Sequence, residues 1–380
     1  MTFSLKRLLI ASFTLLLIAM SPQLFAETPP STTASKTPHV LLVVSSYGKD
    51  QGKTQPGFEQ DELSKAYWMF VDNGVTVDIA SPNGGAVEAD NFDPEQPYNK
   101  RFLNDQVAMK KLSKTLKIEN LTSTHYQGVF VLGGKGAMFD LPFHQPLQSL
   151  IAKVYQSGGS IGAVCHGPAA LVNVKLDNGN YLVANKPVNG FTNQEEQLFG
   201  KKWAREFKFL LEDKLKQRNA LFESSPMMLS HVAVADRLIT GQNPTSTVDT
   251  VQAMLSSLKI QNTVIHQYQD DRTLNWVSQF LNNSEQAMDD YENLKSGFKI
   301  PLIAMYGYYF SLATESNEDQ HNALKLLLLT QDEMKHPQLD LQIAKSQTKL
   351  GFVDQAKATL TKLIEKNPEL EEAKTLLQTL

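Results

Sequence analysis

The chain is poor in cysteine, with one residue, Cys165, among 380 residues. A single thiol excludes an internal disulfide and a zinc site built from several thiolates. An excess of positive charge is also missing, since 36 basic side chains stand against 40 acidic ones. Without a broad cationic surface, the chain is not expected to bind nucleic acid. The 17 prolines and 21 glycines are close to average usage, which excludes collagen-like and low-complexity classes.

Long hydrophobic runs are scarce, and the one that stands out lies at the start of the chain. Two basic residues precede an apolar run over 8–20, and Ala26 follows it. This run is shorter than the roughly 20 residues of a spanning helix, and the layout is typical of a secretory signal peptide. We expect a signal peptide over 1–26, cleaved near Ala26, and a flexible leader over 27–38. The mature protein is then periplasmic or secreted, with no membrane contact after cleavage. An uncleaved anchor is the less favoured alternative.

From residue 39 to residue 258, short apolar runs alternate with helical patterns. The runs cover 39–45, 75–80, 128–132 and 160–164. Unbroken apolar character is typical of strands covered on both faces of a parallel sheet. The alternation predicts an α/β fold with a doubly wound parallel sheet. Sites in such sheets lie beyond the carboxyl ends of the strands, which here means just after Ser45, Leu132 and Val164.

Cys165 follows the fourth of these runs, in the segment Ala163-Val-Cys-His-Gly167. Small residues around a nucleophile are typical of a nucleophile elbow, a sharp turn from a strand into a helix. The partial positive charge of a helix N-terminus favours a thiolate, so we expect an exposed and acidified thiol. The alternative is a buried structural cysteine, which the adjacent His166 makes less favoured.

Two further features lie near the other strand ends. The turn Leu132-Gly-Gly-Lys-Gly136 can bring backbone N–H groups close to an oxyanion, although glycines at a strand end are a weak signal alone. Phe58, Glu62, Ala66 and Phe70 share one helical face, on which Glu62 carries the only charge. A desolvated carboxyl group there would have a raised pKa and could donate a hydrogen bond to a thiolate. Alternatively, the helix is rotated and Glu62 is solvated.

Taken together, these motifs resemble the ThiJ/PfpI superfamily, and within it the branch of heat-shock chaperones and glyoxalase III proteins. The segments that carry the resemblance are 57–63, 80–85, 101–105, 163–169, 190–193 and 238–244. The resemblance implies a flavodoxin-like, class I glutamine amidotransferase-like sandwich over residues 39–258.

The resemblance also implies roles for individual residues. Cys165 would be the nucleophile, His166 would complete a dyad or triad, and Glu62 would contact the thiol. The oxyanion hole would consist of the backbone N–H groups of Gly134 and His166. Many relatives carry histidine where this chain has Lys135, which puts a proton-shuttle or metal-ligand role at that position in doubt. We expect no cofactor and no obligatory metal.

The third member of the triad has two candidates, Glu195 and Glu196. Thr192 and Glu195 have the Ser/Thr-x-x-Glu spacing of a capping box, which assigns Glu195 a structural role at a helix start. Glu196 is therefore the better candidate for orienting the His166 ring. For both residues, a solvated helix face is the alternative.

The implied activity is cysteine-dependent and acts on a small reactive carbonyl or acyl substrate. For a glyoxalase III protein, the implied reaction converts a 2-oxoaldehyde such as methylglyoxal to a 2-hydroxy acid without glutathione. Deglycase or amidase hydrolysis at the same site stays open. The alternative function is a stress-related holdase chaperone or a redox sensor that binds a protein partner. A homodimer is also left open.

Beyond residue 258 the glycines thin out and helical patterns dominate. We expect a linker over 259–270 and an all-α region over 271–380. Gly351 and Ala356, with Ala344 before them, match the spacing of a tetratricopeptide repeat, whereas a second repeat near 322–329 is degenerate. Because so few repeats are not expected to be stable alone, we expect this region to pack on the catalytic domain or on a second subunit. It would act as a helical brace or bind a partner.

Overall fold

A computed structural model describes residues 37–200, 202–261 and 263–380. The expected signal peptide over 1–26 and nearly all of the expected leader lie outside the described residues. Both therefore stay predictions.

Nine strands are described. They are β1 (His39–Val43), β2 (Thr76–Ser81), β3 (Leu116–Lys117), β4 (Gly128–Val131), β5 (Ser160–Val164), β6 (Pro187–Val188), β7 (Leu221–Phe222), β8 (Val232–Ala235) and β9 (Leu238–Gly241). Seven of them form one sheet in the order β3-β2-β1-β4-β5-β9-β8. Every pairing in this sheet is parallel except that of β8 with β9. Strands β6 and β7 pair separately.

The four apolar runs of the sequence form the centre of this sheet. In β1 the residues from Val40 to Val43 are fully buried, as expected for a strand covered on both faces. Val40 lies opposite Val77 on one side and Gly128 on the other. The predicted α/β fold is confirmed. The antiparallel hairpin of β8 and β9 at one edge was not predicted.

Eight α-helices accompany the strands. They are α1 (Gln60–Asp72), α2 (Pro97–Asn104), α3 (Gln106–Ser113), α4 (Ala137–Asp140), α5 (Gln145–Gln156), α6 (Asn193–Phe199), α7 (Leu211–Gln217) and α8 (Thr247–Ser257). Helices α1 and α8 pack against each other, and α5 and α8 both pack on β5. Leu147, Leu150, Ile151 and Val154 of α5 recur at helical spacing and are buried.

The segments that follow β1, β4 and β5 meet at one edge of the sheet because β4 lies between β1 and β5. The backbone of Glu59, before α1, donates a hydrogen bond to the carbonyl of Gly133, after β4. A Cβ atom on Gly133 would lie 2.8 Å from the Cβ of Cys165. The chain therefore brings the predicted site regions into contact.

The remaining helices form what we call the helical tail, residues 269–380. They are α9 (Gln269–Asn282), α10 (Ser284–Leu294), α11 (Ile300–Ala313), α12 (Asn317–Met334), α13 (Pro337–Lys349), α14 (Val353–Lys366) and α15 (Glu371–Gln378). Between α13 and α14, Gly351 has a φ of +79°, a backbone conformation that favours glycine. Ala344 and Ala356 are fully buried where these two helices pack. Membership of the tetratricopeptide class stays a prediction.

The helical tail packs on the α/β part of the chain. Met227 and Leu229 share a buried apolar cluster with Leu274 and Trp276 of α9. Lys65 of α1 is buried and forms ion pairs with Asp270 and Asp271 at the start of α9. Of the two supports expected for this region, the structure shows packing on the α/β part of the same chain.

No helix in the described parts of the chain is both long and apolar enough to cross a bilayer.

Candidate active site

Cys165 lies directly after β5 on a sharp backbone turn. Its φ is +60°, a left-handed conformation that is strained for a residue with a side chain. The turn is held because Cys165 N donates to the Gly241 carbonyl and the Cys165 carbonyl accepts from Phe191 N. Gly167 begins a short 3-10 helix, and a Cβ there would lie 2.3 Å from the Val131 carbonyl oxygen. These contacts explain the small residues of the elbow.

The exposed thiol expected from the sequence is not found. Cys165 is only 4% exposed, because the turn directs its side chain into the space between the glycine-rich turn and α1. A glycine-bounded turn after a strand fixes the backbone of the elbow, but not how deeply neighbouring segments cover it.

His166 joins Cys165 to Glu196. His166 Nε2 lies 2.9 Å from Glu196 Oε2, and His166 Nδ1 lies 3.5 Å from Cys165 Sγ. A carboxylate accepts but does not donate, so Glu196 selects the tautomer with the proton on Nε2. Nδ1 then offers its lone pair to the thiol. Phe191 packs on the imidazole with ring centroids 4.5 Å apart, which restricts the orientation of the ring.

Glu195 is occupied elsewhere. Its Oε2 accepts from the backbone and hydroxyl of Thr192, while Oε1 accepts from Met228 N and Asn243 Nδ2. Together with the return bond from Glu195 N to the Thr192 hydroxyl, this completes the capping box. Of the two glutamates, the structure brings Glu196 to the histidine and uses Glu195 to hold the start of α6.

Glu62 lies on α1, fully buried, on the other side of the thiol. Its Oε2 accepts a hydrogen bond of 2.6 Å from Gly133 N. Its Oε1 has no hydrogen bond of good geometry, although the thiol lies nearby. Burial, followed by the charge of Glu59, raises the pKa of Glu62 well above its ordinary value. The helical face predicted to carry a buried carboxyl group is therefore the buried face.

The thiol pKa moves in the direction opposite to the acidified cysteine expected from the sequence. Burial, and then the Glu62 carboxylate, raise the pKa of Cys165 well above its ordinary value, while the Gly134 N–H lowers it. A carboxylate beside a thiol opposes ionisation of that thiol. Burial and Glu62 together therefore favour the neutral form of Cys165.

The glycine-rich turn supplies backbone donors at the sulfur. Gly134 has a φ of +88°, and its N–H lies near enough to the Cys165 thiol to lower the pKa of that thiol, against the larger effect of burial. The N–H of His166 faces the same turn, since a Cβ on Gly133 would lie 2.7 Å from His166 N. Both expected oxyanion-hole donors thus border the space next to the sulfur. Lys135, in the same turn, is partly buried and forms no ion pair within the described residues.

Sequence reasoning missed two acidic residues near the site. Asp140 accepts hydrogen bonds from Ser46 N and the Ser45 hydroxyl, at 2.7 and 2.9 Å, and burial raises its pKa to about 7. Glu59, next to the Gly133 backbone, has its pKa raised to about 7 by burial and then by Asp61. Ser45 stands at a predicted site position, but the sequence has no signal that pairs it with Asp140, 95 positions away.

Comparison with known proteins places this geometry in a family. The DJ-1/PfpI family profile matches residues 54–257. The glutathione-independent glyoxalase hsp3102 of Schizosaccharomyces pombe is 30% identical over 248 residues, which are 59% of this chain and 99% of that protein. The glutathione-independent glyoxalase HSP31 of Saccharomyces cerevisiae is 30% identical over 58% of this chain and 98% of its own length.

Solved structures agree. Rapid Encystment Protein 24 kDa of Francisella tularensis is 32% identical with a TM-score of 0.55, covering 58% of this chain and 99% of that one. Glyoxalase III of Candida albicans has the same fold, with a TM-score of 0.54 at 24% identity over 58% of this chain and 97% of its own. The family match ends before α9, so the helical tail lies outside it. With more than half of its length matched, the chain belongs to the DJ-1/PfpI family.

Proposed function

We propose that this protein is a cysteine-dependent, glutathione-independent glyoxalase that converts small 2-oxoaldehydes to 2-hydroxy acids. The observation that carries the proposal is that an imidazole and a buried carboxyl group lie beside one sulfur, and that a second carboxyl group orients the imidazole. His166 Nδ1 lies 3.5 Å from Cys165 Sγ, Glu196 orients the ring from 2.9 Å, and Glu62 is buried on the other side of the thiol. Relatives at about 30% identity bear the glyoxalase name, which supports the same activity.

The first step is addition of the thiol to the aldehyde carbon of the substrate. The S–H proton passes to His166 Nδ1 as the C–S bond forms, and Glu196 stabilises the resulting imidazolium. A thiol with a raised pKa suits this mechanism, because the base removes the proton during attack rather than before it. The oxyanion that develops lies within reach of the Gly134 and His166 N–H groups and becomes the hydroxyl of a hemithioacetal.

The second step moves hydrogen between the two substrate carbons. A base removes the proton from the former aldehyde carbon, and the neighbouring carbonyl carbon is reprotonated through an enediol. His166 and Glu62 are the two groups placed to carry these protons. The product is a 2-hydroxyacyl thioester of Cys165, and attack by water releases the 2-hydroxy acid and the free thiol. The net reaction adds one water to the 2-oxoaldehyde and needs no oxidant or reductant.

Burial of the thiol favours a small substrate. A sulfur on a residue that is 4% exposed is reached by a molecule of a few heavy atoms more readily than by a side chain of a folded protein. This favours the glyoxalase over deglycation of proteins, and it also disfavours a redox sensor, since oxidation of cysteine depends on exposure. Amidase hydrolysis of a small amide uses the same nucleophile and remains the related alternative.

The test is lactate formation from methylglyoxal without glutathione. We expect turnover by the wild-type protein and its loss in Cys165→Ser, which removes the only thiol of the chain. Circular dichroism checks that the variant is folded. Thiol-independent lactate formation, or none by the wild type, would contradict the proposal. Release of ammonia from small amides in place of lactate would identify the amidase alternative.

Export is the second part of the proposal. The basic residues, apolar run and Ala26 at the start of the sequence support a signal peptide. In cells, fractionation followed by N-terminal sequencing is expected to find a mature chain beginning near Glu27 outside the cytoplasm. A chain that retains residue 1 in the cytoplasm would overturn this part and leave the glyoxalase proposal intact.

A holdase function of the helical tail is a second candidate, favoured by its surface. Met288 and Leu328 are 38% and 43% exposed and line one concave surface with Phe280 and Leu329. Such a surface suits unfolded apolar segments of a client protein. If it holds clients, Met288→Glu with Leu328→Glu abolishes protection of an aggregating client, whereas Val107→Glu, at an exposed residue outside the tail, preserves it. Equal protection by both variants would exclude this surface.

A further inference from the structure

At the opposite end of the sheet from Cys165, two histidines and an aspartate converge. His39 opens β1, Asp78 lies within β2, and His125 ends a short 3-10 helix that precedes β4. One nitrogen of each imidazole and one Asp78 oxygen all lie within 4.8 Å of one another. The mechanism proposed above uses none of these residues.

In this group, one imidazole nitrogen faces a carboxylate oxygen at a poor angle for a hydrogen bond. His39 Nε2 is buried and makes no hydrogen bond of good geometry, although it lies 3.0 Å from Asp78 Oδ2. The rings of His125 and His39 meet edge to face, with centroids 4.7 Å apart, and His125 is itself exposed. An imidazole nitrogen that faces a carboxylate without a well-directed hydrogen bond, and that has a second imidazole beside it, can serve as a ligand to a cation.

The carboxylate is held from outside this group. Lys111 Nζ lies 3.0 Å from Asp78 Oδ1, and the Tyr126 hydroxyl donates to Oδ2 at 3.2 Å. In metal sites, outer groups of this kind orient the ligating carboxylate. The charge of Lys111 is engaged by Oδ1, which leaves the side of Oδ2 that faces His39 for a cation.

We propose that His39, Asp78 and His125 bind a first-row divalent transition metal ion, for which Zn²⁺ is the probe. Two imidazole nitrogens and one carboxylate oxygen are a donor set that zinc prefers, with a fourth position for water. Metal–ligand bonds of about 2.0–2.2 Å require the three atoms to approach one another by roughly an ångström. Because His125 is exposed, its side chain can make this adjustment without disturbing the core. The ion would join the first residue of β1 to β2 and to the segment before β4.

The test measures Zn²⁺ binding to the full chain, purified without a histidine tag and stripped of metal. Calorimetry is expected to find one equivalent bound by the wild type, at least about tenfold weaker binding in His39→Gln and in His125→Gln, and no change in His321→Gln, which replaces an exposed histidine of α12. Cys165→Ser is expected to bind as the wild type does, which separates this site from the thiol.

Thermal unfolding gives a second readout. Zn²⁺ is expected to raise the unfolding temperature of the wild type and of His321→Gln but not of His125→Gln, because an ion bound to the folded state alone stabilises it. If His39→Gln fails to fold, His125→Gln decides the matter, since its side chain is exposed. Absence of binding by the wild type, binding unchanged in His125→Gln, or binding lost in Cys165→Ser would each overturn the site.

Discussion

Lys65 Nζ lies 2.6 Å from Asp271 Oδ1, and this pair joins the helix that carries Glu62 to the first helix of the tail. Lys65 is 2% exposed, and Asp270 holds the same ammonium at 2.7 Å. Burial lowers the pKa of Lys65, but the two carboxylates outweigh it and hold that pKa above its ordinary value. The tail is therefore anchored through a buried charge three residues from Glu62.

Removing that charge should destabilise the whole protein. In Lys65→Met the carboxylates of Asp270 and Asp271 stay at the interface without their cation, which typically costs about 3–5 kcal/mol. We expect the urea midpoint to fall accordingly. Lys100→Met is the control, since Lys100 pairs with Glu95 on the surface and its loss should leave the midpoint close to that of the wild type. Equal midpoints for both variants would show that the buried pair does not stabilise the tail.

Glu196 and Glu195 form a matched pair of neighbouring variants. Glu196→Gln removes the carboxylate that orients the His166 ring and stabilises its imidazolium form during the reaction. We therefore expect kcat to fall by at least about tenfold, with a small change in stability. Glu195→Gln disturbs the capping box and the bonds to Met228 and Asn243, so it should mainly lower the unfolding temperature. Methylglyoxal kinetics and thermal unfolding of both variants separate the two roles. The reverse pattern would assign the histidine partner to Glu195.

The reactivity of the only cysteine gives a direct measure of its ionisation. At pH 7 we expect iodoacetamide to modify Cys165 more slowly than the same residue in the urea-unfolded chain, because burial and Glu62 raise the thiol pKa. The rate should climb with pH beyond the range of an ordinary cysteine. Glu62→Gln removes the acidic neighbour that raises the thiol pKa after burial does, and should shift this profile to lower pH. Intact-mass spectrometry follows the reaction, and a native thiol that reacts faster than the unfolded one would contradict the raised pKa.

Gly134 is expected to tolerate no side chain. In Gly134→Ala the new Cβ would lie 2.5 Å from Glu59 N and 2.6 Å from Phe58 C, both backbone atoms, so the turn must move. Gly158→Ala is the control, because Gly158 has a similar φ of +92° but no atom within 4 Å of the new Cβ. Both variants should lose about 1–2 kcal/mol for the left-handed backbone. Only Gly134→Ala should also lose kcat, by about 10²-fold or more; equal activity of the two would remove Gly134 from the oxyanion hole.

The raised pKa of Asp140 predicts that the stability of the protein depends on pH. Burial raises its pKa to about 7, so the folded state binds its proton more tightly than the unfolded state does. The contribution of the protonated Asp140 carboxyl group to the unfolding free energy is therefore fully present below the pKa of the unfolded state, near pH 4. It is lost as the pH rises through about 7. The unfolding free energy of Asp140→Asn, relative to that of the wild type, should improve by about 1–3 kcal/mol over this interval. Urea titrations at several pH values measure it, and the opposite slope would mean that the folded pKa is depressed.

Local patterns in the sequence were sufficient for several features of the site. The elbow around Cys165, the buried face of α1 and the capping box of α6 each depend on residues within a few positions of one another. The same holds for the central strands, whose apolar runs predicted the parallel sheet. The capping spacing assigned Glu195 a structural role and left Glu196 as the better candidate for the histidine partner. In the structure, Glu196 is the residue that lies beside His166. The edge hairpin of β8 and β9 escaped this reasoning because each strand has only four residues, which is at the lower limit for recognising a strand from an apolar run.

The sequence by itself determined which residues can do chemistry and on which turns and helical faces they lie, since helix period, capping and turn geometry are properties of neighbours along the chain. Only the tertiary structure decided how deeply the thiol is covered, that Asp140 reaches Ser45, that His39 meets Asp78 and His125, and that Lys65 finds Asp271 206 positions away. These relationships depend on the order of strands in the sheet and on where the tail docks. Burial then changes the pKa of each group, because a charge removed from water costs free energy that no local pattern records.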